Sequence, residues 1–269
     1  MESASTSSSL VTLDLLNLVA AYALILVSMA LTRLKGIGQE RSLLISSLRM
    51  AVQLLLVGYV LEMVFAVQSP LLVVVILFIM VSLALQVSGS RMKERMPGFY
   101  RTVGSSLLIG CGVVTCYFTM IVVGQHPWYN PQYLIPLAGM IIGNAMNGAS
   151  LAAERLASEI RDRQIELETA LCLGANAQQA AAPALRSAFR ASMIPTINSM
   201  AATGIVALPG MMTGQILSGT SPVLAVRYQI AIMCAITAAV TITSLLVLVQ
   251  GYRNYFTASQ QLRRIGNAG

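Results

Sequence analysis

The chain has 269 residues, of which 56% are hydrophobic and only 10% carry a charge, and its mean hydropathy is +0.74. A soluble globular domain contains about 25% charged residues, so this composition excludes an ordinary soluble protein and predicts an integral membrane protein. The net charge of +7 does not indicate nucleic-acid binding, because the basic residues lie in short clusters and no basic stripe interleaved with aromatic residues accompanies them. We therefore expect membrane lipid, and no nucleic acid, as a partner.

Runs of about 20 apolar residues, the length needed to cross a bilayer, recur along the chain. The segment before the first run, 1–9, is rich in serine and threonine and is predicted to be a disordered tail. The runs predict an all-α polytopic membrane protein with about seven transmembrane helices. These predicted spans are 10–32, 43–67, 70–87, 102–124, 134–151, 195–218 and 223–250.

Lysine and arginine residues are concentrated in alternate connections between the predicted spans. The positive-inside rule therefore places the N-terminus outside and the C-terminus in the cytoplasm. We expect one transmembrane permease-like domain over 10–252, with a cytoplasmic segment over 152–194 and a cytoplasmic tail over 253–269. The basic residues on the predicted cytoplasmic side are Arg33, Lys35, Arg41, Arg91, Lys93, Arg95, Arg101, Arg155, Arg161, Arg163, Arg186, Arg190, Arg253, Arg263 and Arg264.

The cytoplasmic segment between spans five and six carries the clearest functional signal. It is rich in Ala, Glu, Arg and Gln, which favours helix, and its apolar residues recur at helical spacing. Gly174 is expected to end a first short helix before a second, alanine-rich helix begins. The segment is therefore predicted to be a compact helical knob.

The stretch ETALCLGA, 168–175, resembles the EAA loop of ABC transporter permeases. Together with GMIIGNAM (139–146) and LPGMMTGQILSGTSPVLAVRYQI (208–230), it makes nearly the whole chain resemble the FetB-type iron-export permeases, to which the plant aluminium-tolerance permeases are similar. One difference is that the Ile-x-Leu-Pro ending of the conventional loop is missing.

No signal in the sequence names an organelle, so a bacterial-type plasma (cell inner) membrane is the default expectation. The resemblance implies a permease that exports iron or another metal ion. Its energy would come from a cytoplasmic ATP-binding subunit (FetA-type), which would hold ATP and Mg, so that no cofactor is expected in this chain. In the family the loop is the coupling helix, docked in a groove of that subunit. The residues implied to dock are Glu168, Thr169, Ala170, Gly174 and Ala175.

The sequence itself supports a separate ATPase, because it contains no GxxxxGK[ST] phosphate-binding loop. It also has no HExxH motif and no nucleophile paired with a base, so we expect a transport subunit and not an enzyme. Seven spans enclose little space, which favours a homodimer with the pathway at its interface.

Polar and sulfur-bearing residues within the spans are candidates for the transport pathway, because polar groups in hydrocarbon are costly. Glu62 is either a cation ligand near the outer mouth or an interfacial residue. The others lie on spans five and six, where Pro209 is expected to break the helix. These candidates are Met140, Asn144, Met146, Asn147, Met211, Met212 and Gln215, and the predicted helix-packing glycines are Gly139, Gly143, Gly210 and Gly214.

Two alternatives remain open at this point. One is export of an organic solute such as a nucleotide sugar, and the other is an ATP-independent secondary transporter or channel. Methionine thioethers favour soft ions such as Cu(I), whereas iron favours carboxylates, carbonyls and imidazoles, which are scarce in the spans. The residues alone therefore leave the substrate undetermined.

Overall fold

The computed structural model describes residues 15–36, 38, 40–67, 69–91, 96–257 and 259–263. These residues form helices and no β-sheet, so the expected all-α polytopic membrane fold is confirmed. The predicted tail 1–9 lies outside them. The α-helices, α1 to α9, are Leu15–Leu34, Glu40–Val67, Pro70–Arg91, Phe99–Tyr117, Pro131–Asp162, Gln164–Cys172, Ala177–Ala202, Gly210–Leu217 and Pro222–Gly251; a π-helical segment, Phe118–Val123, follows α4, and a 3-10 helix, Tyr252–Tyr255, follows α9.

Six helices in the described part of the chain have the length and apolar composition needed to cross a membrane. They are α1 to α5, with α4 extended by the π-helical segment, and α9. The fifth predicted span, 134–151, is only the middle of α5, a 32-residue helix that continues into the predicted cytoplasmic segment.

The sixth predicted span, 195–218, has the wrong bounds, whereas the expected helix break at Pro209 is present. α7 already begins at Ala177, passes through Pro195 and ends at Ala202. Residues 203–209 then form a turn in which the Ala202 carbonyl accepts the backbone N–H groups of residues 205, 206 and 207, and Gly204 adopts a φ of +86°. α8 begins directly after Pro209, whose missing N–H is tolerated at a helix start.

The chain divides into two compact units. The first contains α1, α2 and residues 217–219. Within it, the hydroxyl of Tyr22 on α1 donates a hydrogen bond to the carbonyl of Ser47 on α2 at 3.1 Å. This bond links α1 to α2.

In the second unit, α5 and α9 run in the same direction. A Cβ on Gly148 would lie 2.7 Å from Val240 Cγ1, and a Cβ on Gly251 would lie 3.4 Å from Leu156 Cδ2, so residue numbers rise together along both helices. Because parallel neighbours must be joined by a returning segment, α7 runs back antiparallel to both. Small buried residues allow the three backbones to approach closely: Ala145, Ala149, Ala152, Ala153, Ala181, Ala184, Ala188 and Ala239.

The start of α4 and the end of α9 lie together at one end of the second unit. Asn254 Nδ2 donates to the carbonyl of Pro97 at 2.9 Å and to Thr102 Oγ1 at 3.1 Å. Arg101, Arg253 and the arginines near the end of α5 lie at this same end, as the sequence grouping anticipated. Its cytoplasmic placement stays a prediction.

The compact second unit continues past residue 252, the predicted end of the membrane domain. Tyr255 and Phe256 are 3% and 5% exposed and belong to the hydrophobic core. The first residues of the predicted tail 253–269 are therefore part of the packed structure.

Candidate functional site

The predicted knob is a helical corner between α5 and α7. Arg163 joins the end of α5 to the start of the nine-residue α6, and Gly174, with a φ of +92°, lies two residues after the last residue of α6. Asn176 then begins α7 with a capping box, in which Asn176 and Gln179 exchange side-chain to backbone hydrogen bonds. The short helix, the glycine stop and the second helix are thus confirmed.

α6 presents one face to the core and one to the outside. Leu167 is only 3% exposed and anchors the helix, and Ala170 packs against the same core. The opposite face carries two large apolar side chains, Ile165 at 81% and Leu173 at 84% exposure. We call the exposed residues Ile165, Glu168, Thr169 and Leu173 the coupling face.

The predicted coupling residues divide between these two sides. Glu168 and Thr169 are exposed, and Glu168 Oε1 accepts a hydrogen bond from Gln164 Nε2 at 3.0 Å. Gly174 is exposed, whereas Ala170 and Ala175 are half-buried, and the N–H of Ala175 donates to the carbonyl of Ala170. Their role in docking stays a prediction.

A buried carboxylate, missed in the sequence, fixes this corner. Glu159 on α5 is 6% exposed, and its Oε1 lies 2.7 Å from Arg155 Nη2 and accepts a hydrogen bond from Ser187 Oγ on α7, also at 2.7 Å. Its Oε2 lies 2.9 Å from Nε of Arg163, the residue immediately before α6. The sequence did contain a signal for these ion pairs, because Arg155 and Arg163 each lie four residues from Glu159.

A cavity of about 160 Å³ lies in the second unit, where α5, α7 and α9 meet the 203–209 turn. It is partly open, since its lining residues Asn144, Ser199 and Gly210 are exposed. It brings together three of the predicted pathway candidates, Met140, Asn144 and Met211, and it also borders Gly210. Its other lining residues are Thr196, Ser199, Pro209, Gln229, Met233 and Ile236. Whether these side chains contact a substrate stays a prediction.

Gln229 is the lining residue that the sequence analysis missed. It lies near the start of α9, is 7% exposed, and its Oε1 is buried without a hydrogen-bond partner in the described structure. Since buried polar atoms are nearly always paired, this orphaned acceptor calls for an explanation. A carboxamide within the apolar run of α9 was the signal that could have identified it.

The remaining pathway candidates do not line this cavity. Met146 packs against the hydrophobic core from α5, and Asn147 is exposed on the same helix. Met212 and Gln215 lie on α8, outside the set of lining residues. Glu62 belongs to α2, in the first unit.

Most of the predicted packing glycines do not lie at close contacts between helices of one chain. A Cβ on Gly139 would meet Met80 Cε at 3.2 Å, but Cβ atoms on Gly143, Gly210 and Gly214 would have no neighbour within 4 Å. This corrects the prediction for contacts within the chain, because spacing by four residues does not show which helix face is covered. The closest approaches occur instead at Gly110 with Thr243, Gly148 with Val240 and Gly251 with Met96.

The described residues form a many-helix membrane fold with a short exposed helix, α6, between two long ones. Residues 15–256 match the uncharacterised protein family UPF0014, and the chain belongs to that family. It is therefore a multi-pass membrane protein.

Three relatives show the breadth of the family. The chain is 43% identical over 235 residues to the UPF0014 membrane protein slr1647 of Synechocystis, covering 87% of this chain and 91% of the relative. It is 31% identical to Protein ALUMINUM SENSITIVE 3 of Arabidopsis thaliana, covering 91% and 88%. It is 30% identical to the probable iron export permease protein FetB of Escherichia coli, covering 91% and 93%, so the suspected family resemblance is confirmed. No solved structure matches the chain.

Proposed function

We propose that this chain is the membrane subunit of an ABC exporter whose cargo is a metal ion and whose energy comes from a separate ATP-binding subunit. The observation that carries this proposal is the coupling face, two large apolar side chains beside Glu168 and Thr169 on an anchored nine-residue helix. The relative named as an iron export permease supports a metal cargo.

The coupling face suits docking to a protein groove. Ile165 and Leu173 expose apolar surface that a partner would remove from water, and burial of such a side chain is worth about 1.5–3 kcal/mol. Leu167 and the Glu159 ion pairs hold α6 in place from behind, so little ordering is needed on binding. Because this corner is rigid, a movement of the bound partner would displace α5 and α7 as well.

The assembly is proposed to be a homodimer in the plasma membrane, with ATP and Mg held by the partner. ATP-independent transport would be the conclusion if the purification test below fails, and export of an organic solute is the alternative to a metal cargo. The bacterial relatives in Synechocystis and Escherichia coli support the plasma membrane.

The test is affinity purification of the tagged chain from its own membranes. A soluble ATPase should co-purify with the native chain, and Leu173→Asp should abolish its recovery because a charge replaces an apolar contact. Gly174→Ala should weaken recovery, since a left-handed conformation costs a non-glycine residue about 1–2 kcal/mol.

Glu154→Gln is the matched control, because Glu154 is exposed on α5 away from the coupling face. It should leave ATPase recovery unchanged. Purification of the chain alone, still active in ATP-free liposomes, would overturn the proposal in favour of a secondary transporter or channel.

A further inference from the structure

We propose that the cavity between α5, α7 and α9 is the ion site of this permease, and that it selects a soft cation of low charge over hard trivalent ions. This inference rests on the proposed metal-export function. It adds the residues that hold the ion and the chemical class of the ion. Three features of the cavity support it: its donor atoms, its neutrality and its size.

The donor atoms are those that soft cations prefer. Met140, Met211 and Met233 bring three thioether side chains to the lining from three different elements. Thioethers favour Cu(I) and similar ions, and they accept but do not donate. A cluster contributed by α5, α8 and α9 can surround an ion, which a row of methionines on one helix cannot.

Gln229 adds an acceptor that lacks a donor. Its Oε1 is buried without a hydrogen-bond partner, while its side chain lines the cavity. A buried acceptor without a donor is unfavourable, and rotation of the Gln229 carboxamide toward the cavity would let a bound cation serve as its partner. By contrast, Nδ2 of Asn144 already donates a hydrogen bond to the carbonyl of Met140 at 2.8 Å. That N–H group is therefore not available to bind an anion.

The cavity lining is electrically neutral. None of its ten residues is acidic, basic or histidine. The carboxyl end of α7, near Ser199, and the amino end of α8, at Gly210, both border it, so their opposite helix dipoles offset each other. Arg227 is exposed, and two residues from Gln229 correspond to about 200° of helix, so it lies on the opposite face of α9.

Neutrality discriminates against trivalent ions. Hard trivalent cations require several anionic oxygen ligands to replace their hydration, whereas the lining supplies three thioethers and only neutral oxygens, those of Gln229, Asn144, Thr196 and Ser199. A monovalent ion needs the least compensation, and Fe²⁺ is intermediate. We therefore expect the order Ag⁺ or Cu⁺, then Fe²⁺, with Fe³⁺ and Al³⁺ excluded.

The size of the cavity distinguishes an ion from an organic solute. Pockets for drug-sized ligands are usually about 300–1,000 Å³, whereas this cavity of about 160 Å³ has room for an ion and a few waters. A nucleotide sugar would also need hydrogen-bond donors or basic groups for its phosphates, and the lining has no basic side chain.

The experiment is equilibrium ion binding to the purified full chain in lipid nanodiscs, without ATP. Ag⁺ serves as a redox-stable probe for monovalent soft ions, with Fe²⁺ under anaerobic conditions and Al³⁺ as comparisons. Because Ag⁺ also binds thiols, every chain carries alanine at the three exposed cysteines, Cys116, Cys172 and Cys234. The site variants are Met211→Leu, which preserves volume, and Gln229→Leu.

Met146→Leu is the matched control, since Met146 lies on α5 but outside the cavity. We expect both site variants to weaken Ag⁺ binding at least tenfold, the control to change it less than twofold, and Al³⁺ to show no saturable binding. Equal Ag⁺ affinity in native and Met211→Leu chains, or Al³⁺ binding that is lost in the site variants, would overturn the inference.

The outcome is separable from the proposed function. Binding requires no ATPase, and Leu173→Asp should leave Ag⁺ affinity unchanged while it abolishes recovery of the partner. Loss of partner recovery in that variant combined with unaltered Ag⁺ affinity in Met211→Leu would retain the ABC permease and reject this ion site.

Discussion

Replacing Glu159 by glutamine tests whether the buried carboxylate holds the corner that carries α6. The substitution keeps the shape of the side chain but removes its charge. Three interactions converge on the native carboxylate, from Arg155 and Ser187 to Oε1 and from Arg163 to Oε2. A carboxamide has only one acceptor atom, so one arginine loses its partner.

The magnitude follows from burial. A hydrogen bond to a charged group is worth about 1.5–3 kcal/mol, but Arg155 and Arg163 are 51% and 42% exposed, which screens their share. We expect Glu159→Gln to lower the free energy of unfolding by about 2 kcal/mol. At about 2–4 °C per kcal/mol for a chain of this size, Tm should fall by about 4–8 °C.

The assay is thermal unfolding in detergent, together with ATPase activity of the complex with the proposed ATP-binding subunit. Tm should fall as stated, and ATP hydrolysis should become less dependent on transport substrate because α6 is no longer fixed at Arg163. Combining Glu159→Gln with Ser187→Ala should give less than the sum of the two effects, since the residues are in contact. A Tm within 1 °C of the native chain, with additive double-variant effects, would refute this reasoning.

Two further predictions concern packing and capping. Gly148→Ala should destabilise the chain by about 1–3 kcal/mol, because the new Cβ would lie 2.7 Å from Val240. Gly143→Ala has open space around its Cβ and should be neutral or stabilising by up to about 1 kcal/mol. The Tm values of the two variants test this, and equal effects would contradict the helix contact at Gly148. Asn176→Ala should lower the free energy of unfolding by about 1 kcal/mol, because α7 loses its capping box with Gln179. Asn176→Asp should keep most of that stability, since aspartate also caps helices. An unchanged Tm in the alanine variant would contradict a stabilising cap.

The membrane fold and the helical corner were predictable because both depend on local composition. Apolar run length identified the spans, and Gly174 marked the end of α6 because a positive φ there favours glycine. The sixth span was misplaced because Pro195 suggested a helix start. In the structure it lies inside α7, whose burial against α5 and α9 outweighs the helix penalty of proline.

The candidate site was only partly predictable because it depends on which helix faces meet. Met140 and Met211 were identified by their polar neighbours. Gln229 was missed because it lies in an apolar run, and its place opposite them follows from the parallel course of α5 and α9. Glu159 was missed for a related reason, since its importance arises from Ser187, 28 residues further along the chain.

Because α5 is one continuous helix, a tilt imposed at one end moves the other end as well. Met140, at the cavity, and Glu159, at the corner, lie 19 residues apart on one helix, a distance of about 28 Å at 1.5 Å per residue. No proline interrupts the helix between them, because the only internal proline, Pro136, precedes Met140. A tilt of about 10° imposed at the corner would therefore displace the cavity end by about 5 Å, comparable to a one-turn shift of a helix. Distance measurements between spin labels on α5 and α9, with and without ATP, would detect a displacement of that size.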